Sequence, residues 1–215
     1  MRPLRSDNDL LAMTDEYRDQ HKRRLSWMPW LYYSLKPKHQ AWAHAWQQAI
    51  QEELCRLETV TIGANCFVAP EARLFAEPNR GIVMGDNCSI AAEAFLHGPI
   101  RLGKAVSINH RVSIDGGAKG VCIGDNTRIA ANTCIYAFNH GMAPECPINT
   151  QPVRSAGIVI GSDVWVGANA GITDGVSIGD HAIVGMGSVV TRPVPAWAIV
   201  AGSPARQIGD RRDFR

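Results

Sequence analysis

Three imidazoles stand where chemistry could begin: His97 in Phe95-Leu96-His97, His110 in Ile108-Asn109-His110, and His140 in Phe138-Asn139-His140-Gly141. An imidazole titrates near neutrality, so it is the side chain best matched to take a proton from an alcohol. It is also a zinc ligand, but zinc needs three or four convergent ligands and these three lack a closely spaced pair. No metal site is expected. An amide such as that of Asn109 can accept from one hydroxyl and donate to another, and the carboxylate of Asp115 can add an acceptor. The bland readings have weight. A lone histidine on a loop is more often solvated, His97 at its corner reads as a surface residue, and a corner asparagine often satisfies its own turn. What holds these residues decides between the two.

The stretch from Ile62 to Val190 holds them. Aliphatic residues recur there in sixes: Ile62, Val68, Leu74; Met84 through Ile114; Ile123, Ile129, Ile135; Ile160 through Val190. Gly often follows, and a small or β-branched residue stands four places on, as at Cys66, Ala94, Ala118, Thr127 and Ala182. A period of six suits neither a helix nor a free alternating strand. It is the signature of a parallel β-helix in which three hexads close one triangular coil. Eighteen hexads predict about six coils, each burying its inner face only against its neighbours. Steps of ten (Leu74 to Met84), nine (Ile114 to Ile123) and twenty-five (Ile135 to Ile160) break the period, each after the third hexad of a coil. All excursions therefore leave from one edge, and such an edge is usually the working face.

The remainder is an extension. Residues 6–25 predict a helix capped by Ser6, with Leu10, Leu11, Met13 and Tyr17 as a partial stripe. An aromatic knot, Trp27 to Tyr33, precedes a second helix over 38–57 carrying Trp42, Trp46, Ile50 and Leu54. Packing of the helices on the prism or on a neighbouring subunit is favoured over contact of this knot with a membrane surface. The expected organisation is an N-terminal helical extension (1–58), a β-helix (59–205) with an inserted loop at about 139–157, and a tail (206–215). The 215 residues carry a net charge of +2, which gives no reason to expect a nucleic acid partner. No apolar h-region opens the chain, and Cys66 and Cys88 occupy inward slots, so a cytoplasmic protein with reduced thiols is expected.

The hexads, Asn109, Asn139-His140-Gly141, the run from Gly157 to Pro195 and the ending AGSPAR resemble the hexapeptide-repeat acyltransferases. Within them the likeness is to the galactoside/maltose and polysaccharide O-acetyltransferases. It covers about residues 60–208. The resemblance implies a mainly β fold, a left-handed parallel β-helix, and a homotrimer binding acetyl-CoA between adjacent prisms. It implies a catalytic role for His140, which keeps the family's distance of sixteen residues from the Gly of Ile123-Gly124-Asp125-Asn126. Asn109 and Asp115 would contact the acceptor. Trp165 would pack along the pantetheine arm, and the backbone N–H of Ala168 would meet the thioester oxygen. Met186 and Thr191 would line the cofactor channel, with Arg192 and Arg206 near the phosphates. A further family arginine is Gly209 here, which leaves Arg211 or Arg212 as its substitute.

The activity implied is direct acetyl transfer to a hydroxyl of a sugar or polysaccharide precursor, with His140 as general base and His110 as the other base in reach. A xenobiotic (antibiotic) acetyltransferase would use the same base and cosubstrate. A non-catalytic scaffold would keep the hexads but not His140, Trp165 and the tail arginines. A γ-class carbonic anhydrase shares the prism but needs the close histidine pair that is missing here.

Overall fold

The computed structural model describes residues 7–214, so Ser6, expected as a cap, lies outside the described residues. The first helix, α1, spans Asp7–Trp27, a 3-10 turn spans Pro29–Ser34, and α2 spans Pro37–Leu57. Pro29 and Pro37 each sit in the first turn of their helix, where a missing N–H costs nothing. From Val60 onward the chain winds into a left-handed parallel β-helix.

Each coil contributes one short strand to each of three sheets. The first face stacks Val60–Ile62, Ile82–Met84, Ile100–Leu102, Val121–Ile123, Ile158–Ile160 and Ser177–Ile178. The second runs from Phe67–Val68 through Ser107–Ile108, Arg128–Ile129 and Trp165–Val166 to Ile183–Val184. It continues into Ala198–Ala201 and the antiparallel strand Arg206–Asp210. The third face ends on Val189–Val190. That makes six coils. Every hexad residue except Ile62 is at most 4 % exposed, which places the period-six residues inside the prism. Ile62, in the first coil, is partly buried, and both it and Leu54 of α2 pack against the core of the prism. Ala118, which fits an inward slot by spacing, is exposed, because the chain has already left the prism into an excursion.

The corner glycines serve stacking rather than an unusual turn. A Cβ on Gly63 would lie 2.6 Å from the carbonyl carbon of Gly85, and one on Gly85 would lie 2.6 Å from the oxygen of Gly103. The left-handed conformation falls two residues later, on Asn65, Asn87 and Asn126 (φ 54°, 59° and 60°), a residue type that tolerates it. The intervening aspartate caps the coil before it. Asp86 accepts from the N–H of Ala64 (2.9 Å), Asp125 from Lys104 (2.7 Å) and Asp180 from Ser162 (2.7 Å). Gly-Asp-Asn is thus a device for registering one coil on the next.

The helices close the exposed start of the second face. Phe67 is fully buried beneath Tyr32 and Trp46, at ring separations of 5.3 and 5.9 Å. The buried Gln47 of α2 donates to the carbonyl of Val68 (3.1 Å) and accepts from its N–H (2.8 Å), while Gln51 donates to Cys66 (2.8 Å). These amides complete the backbone bonding of a strand that has no coil before it. The aromatic knot therefore packs largely on the prism, leaving Trp30 and Tyr33 exposed. Gln47→Leu, which strands both backbone groups of Val68, is expected to cost about 2–3 kcal/mol and lower Tm by about 5–10 °C in a thermal melt.

The three excursions all leave between the third and first faces. The longest, between Cys134–Tyr136 and Ile158–Ile160, is pinched at its base by paired backbone bonds between Asn139 and Arg154, both 2.8 Å. Gln151 ties its interior, bonding Ala143 at both backbone groups and the carbonyl of Cys146. Ser155 donates to Ala137 (2.6 Å), and Asp174 accepts from Ala156 and Gly157 (2.9 Å each), which seats the returning chain on the prism. Among the described residues no helix is long and apolar enough to cross a membrane.

Candidate active site

His140 stands just past the pinch at the base of the long excursion. It is exposed, with its ring edge-on to Phe138 at 6.0 Å and 80°. Together with Asn139, Arg154 and Asp174 it lines a cavity of about 860 Å³ between the excursion and the prism edge. An accessible imidazole on the rim of an open cavity can take a proton from a ligand hydroxyl.

Asn109 lies on a different edge, between the second and third faces at coil three. Its side-chain oxygen accepts from the N–H of His110 (2.9 Å) and lies 3.1 Å from His110 Nδ1. That carbonyl is engaged in its own turn, so only the amide N–H group remains for a ligand. His110 packs against Trp27 of α1 at 5.4 Å, part-buried under the helix, where it is a poorer candidate base than His140.

Asp115 does not join Asn109. It sits on the excursion edge with Oδ2 3.1 Å from Nδ1 of His97, while Oδ1 accepts from the N–H of Gly117 (2.9 Å). Nε2 of His97 lies 3.1 Å from Glu77. His97, expected as an ordinary surface residue, is instead held between two carboxylates. The hydrogen bond to Asp115, and next the one to Glu77, raise its pKa above 6.5, against partial burial and the nearby Arg80. A raised pKa contributes stability that is full below the unfolded value and lost as pH rises through the folded one. His97→Gln should therefore flatten the fall in Tm on going from about pH 6 to about pH 8, as measured by melts across that range.

Trp165 points outward from the second face, 54 % exposed, in register with Arg128 before it and Ile183 after it. An indole so exposed can pack along a bound ligand. Ala168 and Met186 follow on the edge between the second and third faces, at coils five and six. The N–H of Ala168 makes no hydrogen bond among the described residues, leaving a backbone donor open to an incoming oxygen. Thr191 and Arg192 are exposed on the excursion edge at coil six, and Arg206 is exposed on the last strand. The substitutes for the missing tail arginine are both engaged. Arg211 bonds Asp163 (2.8 Å) and the carbonyl of His181, and Arg212 bonds Asp210 (2.7 and 2.8 Å). Asp163 is correspondingly held below its ordinary pKa, first by His181 and then by Arg211.

The candidates thus fall on two edges of the prism. His140, Asp115, Thr191 and Arg192 lie where the excursions leave, while Asn109, Ala168 and Met186 lie at the other end of the third face, with Trp165 and Arg206 on the second. A single chain does not bring His140 to Trp165. Gln151 and Ser155, which hold the His140 loop, lie in an irregular stretch that carries no period, and Asp174 sits at a coil corner where the repeat does not specify its partner.

The model for the hexapeptide repeat of succinyl-transferase matches residues 157–192. WbbJ of Escherichia coli (strain K12), whose name assigns it to O-acetyl transfer in lipopolysaccharide biosynthesis, is 34% identical over 151 residues, covering 66% of this chain and 74% of WbbJ. The galactoside O-acetyltransferase of E. coli (strain K12) is 39% identical over 93 residues, 43% of this chain and 45% of that enzyme, so that match spans less than half of its length. Among solved structures, a mutant of AntD, an N-acyltransferase from Bacillus cereus in complex with dTDP and coenzyme A, superposes with a TM-score of 0.67 at 28% identity. That likeness covers 75% of this chain and 89% of AntD.

Proposed function

The chain belongs to the hexapeptide-repeat acyltransferases, and we propose that it moves an acetyl group from acetyl-CoA to a hydroxyl of a sugar or polysaccharide precursor. The observation that carries this reading is that the same chain offers an accessible imidazole, His140, on one edge and an unbonded backbone donor, the N–H of Ala168, close to the exposed Trp165 on another. An alcohol is a weak nucleophile until its proton is removed. His140 takes that proton, the alkoxide attacks the thioester carbonyl, and the tetrahedral oxyanion lies on the Ala168 N–H, a contact worth about 3 kcal/mol in comparable sites. Collapse expels the CoA thiolate, which recovers the proton from the imidazolium. No acyl-enzyme is required, because holding both substrates in one groove supplies much of the rate.

The separation of the candidates onto two edges supports a site built between chains. In a homotrimer the excursion edge of one copy would meet the Trp165 face and the Ala168 edge of the next. Arg192 and Arg206 would then flank the CoA phosphates, with Arg192 offering a planar fork. The amide group of Asn109 would meet the acceptor, while Asp115, held by His97, would shape the edge and not bind sugar directly. We place the protein in the cytoplasm, where acetyl-CoA is made. The experiment is a thiol-release assay with acetyl-CoA against sugars, glycans and hydroxylated antibiotics. Release that depends on a saccharide is the expected outcome, and release driven by an antibiotic alone would move the assignment to xenobiotic acetylation. Failure to bind acetyl-CoA at all would end the enzymatic reading.

A further inference from the structure

The second face carries another concavity, walled by the helical extension. Between the 3-10 turn Pro29–Ser34 and coils two to four lies a pocket of about 340 Å³ lined by Trp30, Tyr33, Ser89, Ser107 and Arg128, among others, none of them acidic. Tyr33 pins the turn in place by donating to the carbonyls of Cys88 (2.9 Å) and Asn87 (3.3 Å). Trp30, three residues earlier, is left 52 % exposed over the pocket. The hydroxyls of Ser89 and Ser107 meet at 3.2 Å on its floor. Arg128 is anchored through its strand, in register with Ser107 on one side and Trp165 on the other. Its guanidinium makes no hydrogen bond or ion pair among the described residues.

An arginine at the wall of a pocket without carboxylates has no internal counterion, and its planar fork matches a carboxylate or phosphate through two parallel bonds. An exposed indole offers a flat apolar surface of the kind that receives the C–H face of a pyranose ring. Paired serine hydroxyls supply donors and acceptors for ring hydroxyls. Strand spacing sets Arg128 about 4.8 Å from Trp165 along the face, beside the place proposed for the pantetheine arm. We infer that this pocket is the acceptor subsite and that it takes an anionic sugar unit, with the ring on Trp30 and the carboxylate or phosphate on Arg128. The inference rests on the proposed acetyl transfer for its placement, and on the pocket's own residues for its chemistry.

The test uses the full chain and three probes: D-galacturonate, α-D-galactose 1-phosphate and neutral D-galactose, titrated by saturation-transfer NMR. Acetyl-CoA is titrated separately by calorimetry. At least one anionic sugar should bind on the order of tenfold more tightly than galactose, and which one does so tells carboxylate from phosphate. Arg128→Gln should erase that preference, Arg128→Lys should keep part of it, and Trp30→Ala should weaken all three sugars. Acetyl-CoA affinity should stay within about twofold throughout. Equal binding of the three sugars by the unmodified protein overturns the inference. So does an equal loss of acetyl-CoA affinity in Arg128→Gln, which would give the pocket to the donor. A fall in particle mass on light scattering of either variant would overturn it by giving the face to subunit contact. A chain that binds anionic sugars but no acetyl-CoA would sink the acetyl-transfer reading and leave the pocket standing.

Discussion

His140→Ala is expected to lower kcat for acetyl transfer by about a hundredfold to ten-thousandfold while leaving acetyl-CoA affinity within about twofold. The imidazole is the accessible base on the rim of the large cavity, while His110 lies partly under Trp27 and His97 is held between Asp115 and Glu77. Its loop is seated by Ser155, Asp174 and the Asn139–Arg154 pinch, none of which needs the ring. Removing the ring should therefore leave the loop and the prism intact, so lost turnover would report chemistry and not folding. Stopped-flow or endpoint thiol release, paired with calorimetric titration of acetyl-CoA, separates the two. Comparable turnover in the variant would reject His140 as the base.

Gly124→Ala is expected to destabilise the prism strongly. An added Cβ would lie 2.6 Å from the carbonyl carbon of Gly161 and 2.6 Å from the nitrogen of Ser162. Both atoms are backbone, so neither can swing away, and the two coils must part. The cost is about 3 kcal/mol, or a fall in Tm of about 6–12 °C. Coils four and five also bracket the long excursion, so the strain reaches the seat of His140. Gly171→Ala is the matched control, because its Cβ would meet only the methyls of Val189 at 3.9 Å. It should change stability by less than about 0.5 kcal/mol. If both variants melt alike, close stacking is not what the corner glycines provide.

Much of the architecture was legible before any coordinates. Cys66 and Cys88 read as inward core residues and are buried, both helices lie within a residue or two of their expected spans, and all three excursions leave one edge. The role of the corner glycine was not legible. The left-handed residue is the asparagine two places on, and the glycine answers to the coil after it. Ala118 fitted the repeat by count but not by place. The glutamines of α2 carried no pattern pointing to the Val68 and Cys66 backbone, because a helix lid meets a strand edge through geometry that neither segment encodes alone.

The residues by themselves determined how many coils the prism has, which side chains fill it and where the chain departs from it. A period of six is a relation between near neighbours, and burying one aliphatic residue per hexad fixes the three-sided coil, though not the hand in which it winds. Only the folded chain decided which polar groups meet. Asp115 went to His97, whose other ring nitrogen meets Glu77, instead of standing with Asn109, the oxygen of Asn109 turned to His110, and Arg211 and Arg212 were taken by Asp163 and Asp210. Outward-facing side chains are free of the packing constraint that sets the repeat. Their partners depend on the rise from coil to coil, on the path of each excursion and on where the helices settle.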